Sequence, residues 1–213
     1  MMKTELLPLF LNLAGRRVLL VGAGPVAASK LGALLAAGAD VLVVAPDIRP
    51  EIAQAAAEAA HQRETDSAQA TGRVTLARRA FAVSDLEGVW LVVSAATPEV
   101  NQRVATEAEA RRLFVNAVDD PSNATAYLGG VVRRDGITLA ISSRGDVPGL
   151  TGLLREALDA VLPRELRLWV DEARLQRVRW RRDGVPMAAR RPLLLQALNV
   201  IYARRAREEA PCP

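Results

Sequence analysis

The chain has 213 residues, half of them hydrophobic, enough to bury a core in one large domain or two small ones. Its single cysteine, Cys212, excludes an internal disulfide framework and a cysteine-based metal site. Its single histidine, His61, argues against a Ser-His-Asp triad and a histidine metal cluster. The net charge of +4 is unevenly spread: residues 164–209 carry 12 arginines against six acidic residues, and the remainder is slightly acidic. Such a run reads as a solvated helical face or as a surface for nucleic acid or a polyanionic small molecule.

The opening "MMKTELLPLF" lacks the apolar core and small-residue cleavage site of a signal peptide. No apolar stretch reaches the ~18–20 residues of a membrane span. Together with the cysteine usage this predicts a cytoplasmic protein with no membrane partner.

In chain order, residues 17–22, "RVLLVG", predict a buried strand, and residues 25–37 a helix stopped by Gly38. "DVLVVAP" predicts a second strand ended by Pro46. A second helix follows, with Asp47 as its N-cap. Residues 61–72, "HQRETDSAQATG", are polar and aperiodic and predict a loop. "RVTLARR" is a third strand. "GVWLVVSAAT" is a fourth, apolar enough to be central. Residues 98–111 predict a helix, and "LFVNAV" a fifth strand. Strands alternating with helices imply an α/β fold with a Rossmann-like parallel sheet and right-handed crossovers over residues 1–117.

The rhythm then changes. "ATAYLGGVVRR" and "ITLAISS" are two β-runs joined at Asp135-Gly136, a hairpin signal, within residues 118–147. Residues 148–213 form a helical part: a helix over 148–162 ended by Pro163, then Arg-rich helices over 165–181 and about 190–207.

Gly22-Ala23-Gly24-Pro25-Val26-Ala27 is G-x-G-x-x-A between a strand and a helix. The first glycine permits a tight turn, the second close approach to a pyrophosphate, and the small third residue close helix–strand packing. Pro25 and Val26 open the helix, whose N-terminus offers N–H donors and a favourable dipole. Pro46 and Asp47 follow the second strand, where an acid can hold the ribose of NAD. Arg49 could instead meet the 2′-phosphate of NADP. Ligands of such sheets bind outside the carboxyl ends of the strands. Two further stretches arrive there: Ser94 and Ala95 after strand four, and Asn116, Asp119 and Asp120 after strand five. An aspartate in that position can act as an acid or base. Equally, Asp119 and Asp120 read as turn residues before Pro121. "ISSRGDVPG", with Ser142 and Ser143 at its mouth, reads as an anion nest or a plain hairpin-to-helix turn.

Taken together, "LPLFLNLAGRRVLLVGAGPVAASK", "VLVVAP", "VVSAATPEVNQRV", "FVNAVDDP" and "GITLAISSRGDVPGLTGLLREALDAVLP" resemble the precorrin-2 dehydrogenases of sirohaem biosynthesis, including the N-terminal module of multifunctional sirohaem synthases. The resemblance implies oxidation of precorrin-2 to sirohydrochlorin with NAD. Bifunctional members also insert iron, so ferrochelatase activity is the alternative. It further implies a homodimer whose β region exchanges strands between subunits, and a small helical domain. The family's aspartate falls on Asp119, with a role in dehydrogenation and, in a chelatase, at the metal; no other metal residue is implied. NAD contacts carry over to Pro25, Val26, Pro46 and Asp47, beside Gly22, Gly24, Ser94 and Ala95. Asn116, Ser143 and Arg144 fall on the tetrapyrrole side. The chain departs from the family loop Ser/Thr-Gly-Gly-x-Ser-Pro: Arg144 replaces a glycine and Val147 a serine. Precorrin-2 carries eight carboxylates, which gives the basic C-terminal part a reason. A more remote alternative is an NAD-binding redox sensor whose Arg-rich tail touches nucleic acid. The scarcity of aromatics for base stacking argues against it, so no nucleic-acid partner is expected.

Overall fold

A computed structural model of the chain describes residues 5–65 and 72–208. Its contacts divide the chain into two compact units. One reaches to Leu128 and takes in Arg144–Asp146. The other comprises Gly129–Ser143 and the chain from Val147 onward.

The first unit is a five-stranded parallel sheet: β1 (Arg17–Val21), β2 (Asp40–Ala45), β3 (Arg73–Arg78), β4 (Leu91–Ser94) and β5 (Phe114–Ala117), in the order β3-β2-β1-β4-β5. Helices α1 (Pro25–Ala36), α2 (Pro50–Thr65) and α3 (Pro98–Glu109) connect the strands. With period-2 alternation, β1 turns Val18 and Leu20 into a core with α1 and α2, through Leu31, Leu34 and Ile52. It turns Leu19 and Val21 to the other face, against Val104 and Ala108 of α3. All four are essentially removed from water, each stabilising the fold by about 1.5–3 kcal/mol. The α/β, Rossmann-like expectation holds. The central place goes to β1, and β4 lies between β1 and β5.

Two local expectations need correction. The second helix starts at Pro50, with the Arg49 carbonyl accepting from Ile52 and Ala53, so Asp47 is not its N-cap. Proline, pre-set for the first helical turn, moves the start past Asp47. The helix also runs on through His61–Thr65, where a loop was expected. That stretch holds no glycine or proline, and Thr65 Oγ1 donates back to the His61 carbonyl (3.0 Å). Residues 66–71 of the expected loop lie outside the described residues.

In the second unit, β6 (Gly130–Arg134) pairs antiparallel with β7 (Ile137–Ile141). Asp135 and Gly136 both have positive φ (+50° and +81°), as a two-residue type I′ turn requires. Residues 124–129, expected to extend the first β-run, are not strand; Thr125 and Ala126 hydrogen-bond to Val115 instead. Helices α4 (Pro148–Val161), α5 (Leu166–Arg182) and α6 (Met187–Glu208) follow. Helix α6 begins earlier than expected and continues through Pro192. Arg134 ties the hairpin to α4: its guanidinium donates to the carbonyls of Asp159 (2.9 Å) and Leu162 (3.2 Å) and to the Asp159 carboxylate (2.7 Å). A cation at a helix C-terminus also favours the dipole. Trp169 Nε1 donates to Tyr202 Oη (2.9 Å), joining α5 to α6.

Candidate active site

The strand order reverses between β1 and β4, and sheets of this kind take their ligands beyond the carboxyl ends of the strands at that point. Backbone bonds hold the loops there in a fixed relation. Gly22 N–H donates to Val44 (2.9 Å), Ala95 N–H to Val21 (2.8 Å), and Val118 N–H to Ser94 (2.8 Å). The structure thus brings Gly22, Gly24, Pro25, Val26, Pro46, Asp47, Ser94, Ala95, Asn116 and Asp119 to one edge of one sheet.

The two glycines of the first loop differ. Gly22 lies at φ +101°, and a Cβ there would overlap the backbone of Ala95. Its glycine is demanded by the fold. Gly24 is the N-cap of α1 at φ −82°, in ordinary backbone space, and a Cβ there would meet nothing within 4 Å. Packing therefore does not explain Gly24. It leaves a cradle at a helix N-terminus that has no side-chain cap, with Pro25 at the first helical position and Val26 exposed. A dinucleotide pyrophosphate fits that donor set. Pro46 and Asp47 are exposed just beyond β2.

Ser94 is fully buried. Its hydroxyl donates to Asn101 Oδ1 (2.6 Å), which also accepts the Ala96 N–H (3.1 Å). Asn101 thereby shapes the "SAA" turn from inside α3, and sequence reasoning missed it. The signal was present: Asn101 falls in register with Val104 and Ala108 on the buried face of α3.

After β5 the two aspartates separate. Asp120 accepts from Ser122 Oγ (2.7 Å) and Asn123 Nδ2 (2.7 Å). Those bonds, Asn123 first, hold its carboxyl below the usual carboxylate range. Asp120 is therefore a turn residue. Asp119 is exposed and has φ +55°, the left-handed region, which aspartate tolerates better than most residues. Asn116 is 7% exposed, and its Nδ2 donates to the Ala126 carbonyl (3.0 Å). Arg144, also left-handed at φ +59°, belongs to the same unit. Its neighbour Gly145 lies against Pro121, where a Cβ would come within 3.2 Å of the ring. The Asp119 and Arg144 loops are thus adjacent. Ser143 belongs to the other unit, where Thr151 Oγ1 donates to its Oγ (2.9 Å). Among the described residues no group of three or more His, Cys, Asp or Glu side chains is placed to hold a metal ion, and no helix is long and apolar enough to cross a membrane.

Fold and cradle together define a Rossmann-like NAD(P)-binding domain. The family model for NAD(P)-binding domains of the NAD_binding_7 type matches residues 9–130. Siroheme synthase 3 of Aeromonas hydrophila is 40% identical over 163 residues, 76% of this chain and 32% of its own length. Siroheme synthase of Photorhabdus laumondii is 35% identical over 200 residues, 93% of this chain and 40% of its own. The chain spans about a third of the length of the curated relatives it matches. Among solved structures, that of "SirC, precorrin-2 dehydrogenase" aligns with a TM-score of 0.63 at 26% identity, over 90% of this chain and 88% of the other. The chain belongs to this NAD(P)-binding family, and over most of its length it is similar to part of the sirohaem synthases.

Proposed function

We propose that the chain oxidises precorrin-2 to sirohydrochlorin with NAD as acceptor, in the cytoplasm and as a homodimer. The observation that carries this reading is one sheet edge holding both an open pyrophosphate cradle at Gly24 and an exposed, left-handed Asp119. The likeness to SirC over nearly the whole chain supports the substrate.

Gly22 and Gly24 admit the pyrophosphate, and Asp47 holds the adenosine ribose, which favours NAD over NADP. A nicotinamide held there would supply the hydride acceptor for a substrate carbon. Asp119 takes the proton released with it, and Asp120, bound by its own turn, does not compete. Arg144 contacts the substrate's carboxylates. The arginines of α5 raise the local concentration of a polyanion, an effect that salt weakens.

A second copy suits the second unit. Leu150, Leu153, Leu154, Leu158 and Val161 form an apolar row on α4 that is exposed throughout. The β6–β7 ribbon has only two strands, too few for independent stability. Exchange of strands with a second chain would cover both.

The test is an anaerobic assay with fresh precorrin-2 and NAD. NADH and the sirohydrochlorin spectrum should rise together; absence of both overturns the reading. Sedimentation should give twice the chain mass, and Leu153→Asp should shift it to a monomer.

A further inference from the structure

We infer that Asn116 accepts a hydrogen bond from the nicotinamide carboxamide of the bound cofactor and thereby couples the cofactor to the loop that presents Asp119. The inference rests on the dinucleotide reading above and deepens it.

Its basis is a buried acceptor with nothing to accept. Val115 and Ala117 of β5 pack into the core beside α3. Alternation turns Asn116 to the opposite face, where its register neighbour Val93 packs with α1. Asn116 Nδ2 donates to the Ala126 carbonyl. A carbonyl can only accept, so the amide cannot be flipped, and Oδ1 points the other way. That Oδ1 is buried and has no partner among the described residues. Buried polar atoms are nearly always satisfied, and an exception calls for an explanation such as a missing ligand.

The missing donor is identified by layout. The pyrophosphate cradle ends β1, and the ribose acid Asp47 follows β2. The adenosine half of a dinucleotide would then lie toward β2 and its other half toward β4 and β5. The nicotinamide carboxamide is the N–H donor of that half, and Asn116 occupies the carboxyl end of β5.

The other end of the side chain explains the coupling. Thr125 and Ala126 N–H both donate to the Val115 carbonyl (2.8 and 2.9 Å), and Val115 N–H donates to Thr125 Oγ1 (2.8 Å). With the Asn116–Ala126 bond these close a clasp around residues 117–124, on which Asp119 stands. Asn116 is a positioning residue: one end meets the cofactor and the other holds the base of the Asp119 loop.

The experiment measures binding of NADH and of the reduced 3-acetylpyridine analogue to the full chain, without tetrapyrrole. The analogue carries a methyl group where the carboxamide carries its NH₂. Wild-type protein should bind it about three- to tenfold more weakly, the worth of one hydrogen bond. Asn116→Leu should bind the two cofactors equally. Asn116→Asp, which keeps an acceptor and loses the donor to Ala126, should keep the preference while its kcat falls. Equal wild-type affinity for both cofactors overturns the inference even where the Leu variant fails to fold. So does an unchanged preference in Asn116→Leu, or an effect confined to the KM for the tetrapyrrole. Failure to bind either dinucleotide would instead overturn the proposed function on which the inference stands.

Discussion

Gly22 lies so close to Ala95 that a Cβ on it would overlap the Ala95 carbonyl, whereas Gly24, two residues on, faces open space. The fold demands the first glycine; on the proposed reading the second serves a ligand. Gly22→Ala should lower Tm, since it adds a clash to a left-handed strain of about 1 kcal/mol or more. Gly24→Ala should change Tm little, because its φ suits any residue while alanine caps a helix less well than glycine. Its affinity for NADH should fall about tenfold or more, roughly 1.4 kcal/mol or beyond. Thermal denaturation beside an NADH titration separates the two. Wild-type affinity in Gly24→Ala would remove the cradle from the site.

Asn101 makes a comparable case from inside a helix. Its Oδ1 is shared by the Ser94 hydroxyl and the Ala96 N–H. Asn101→Ala leaves a fully buried hydroxyl without its acceptor, at a cost of about 1–3 kcal/mol. Urea unfolding should show that loss with an unchanged m-value. NADH binding should weaken as the Ser94–Ala96 turn loosens.

The features legible in the sequence share one property: each is fixed by residues near in the chain. The β1 run, the two glycines and Pro25 specified strand, turn and helix start within nine residues. Asp135-Gly136 specified its turn by two. What escaped depends on distant partners. The Asn116–Ala126 bond spans ten residues, and nothing in "NAVDDPSNATA" marks which asparagine is buried. The bonds that make Asp120 a turn residue come from Ser122 and Asn123, and Asp119 takes a left-handed φ beside that turn. The helical run through Thr65 was hidden because polar residues such as Gln62, Arg63 and Glu64 suit a solvated helix as well as a loop.

Asp85 carries the clearest pH signature in the fold. Arg79 donates to it with both guanidinium arms, and the Ala82 N–H adds a third bond (2.9 Å). The Arg79 contact, above all, holds its carboxyl below the ordinary aspartate value. An acid lowered in the folded state stabilises fully above its unfolded pKa of about 4. That contribution is lost as pH falls through the folded value, because the unfolded chain then binds the extra proton. Asp85→Asn should be less stable at neutral pH, and the gap to wild type should narrow below about pH 4. Tm measured from pH 7 down to pH 3 checks the sign; a gap that stays constant throughout contradicts it.

Asp119 stands exposed in a conformation that asparagine tolerates as well as aspartate does. Asp119→Asn should therefore fold like the wild type and bind NADH with unchanged affinity. Its kcat for precorrin-2 should fall by about a hundredfold or more, the scale of a lost general base. Wild-type turnover in this variant would remove Asp119 from the proton transfer.

Arg144 poses the reverse question, since a non-glycine at φ +59° carries a backbone cost of about 1–2 kcal/mol that a glycine there avoids. Arg144 stands where the family loop that the sequence resembles has a glycine, which would carry no such cost. Its loop lies against the one bearing Asp119. If the guanidinium meets a substrate carboxylate, Arg144→Gly should show a higher KM for precorrin-2 at unchanged NADH affinity. The wild-type KM should rise with ionic strength more steeply than that of the variant, because one screened charge pair has been removed. Coincident salt profiles, with equal KM at low salt, would leave the arginine without a role in substrate binding.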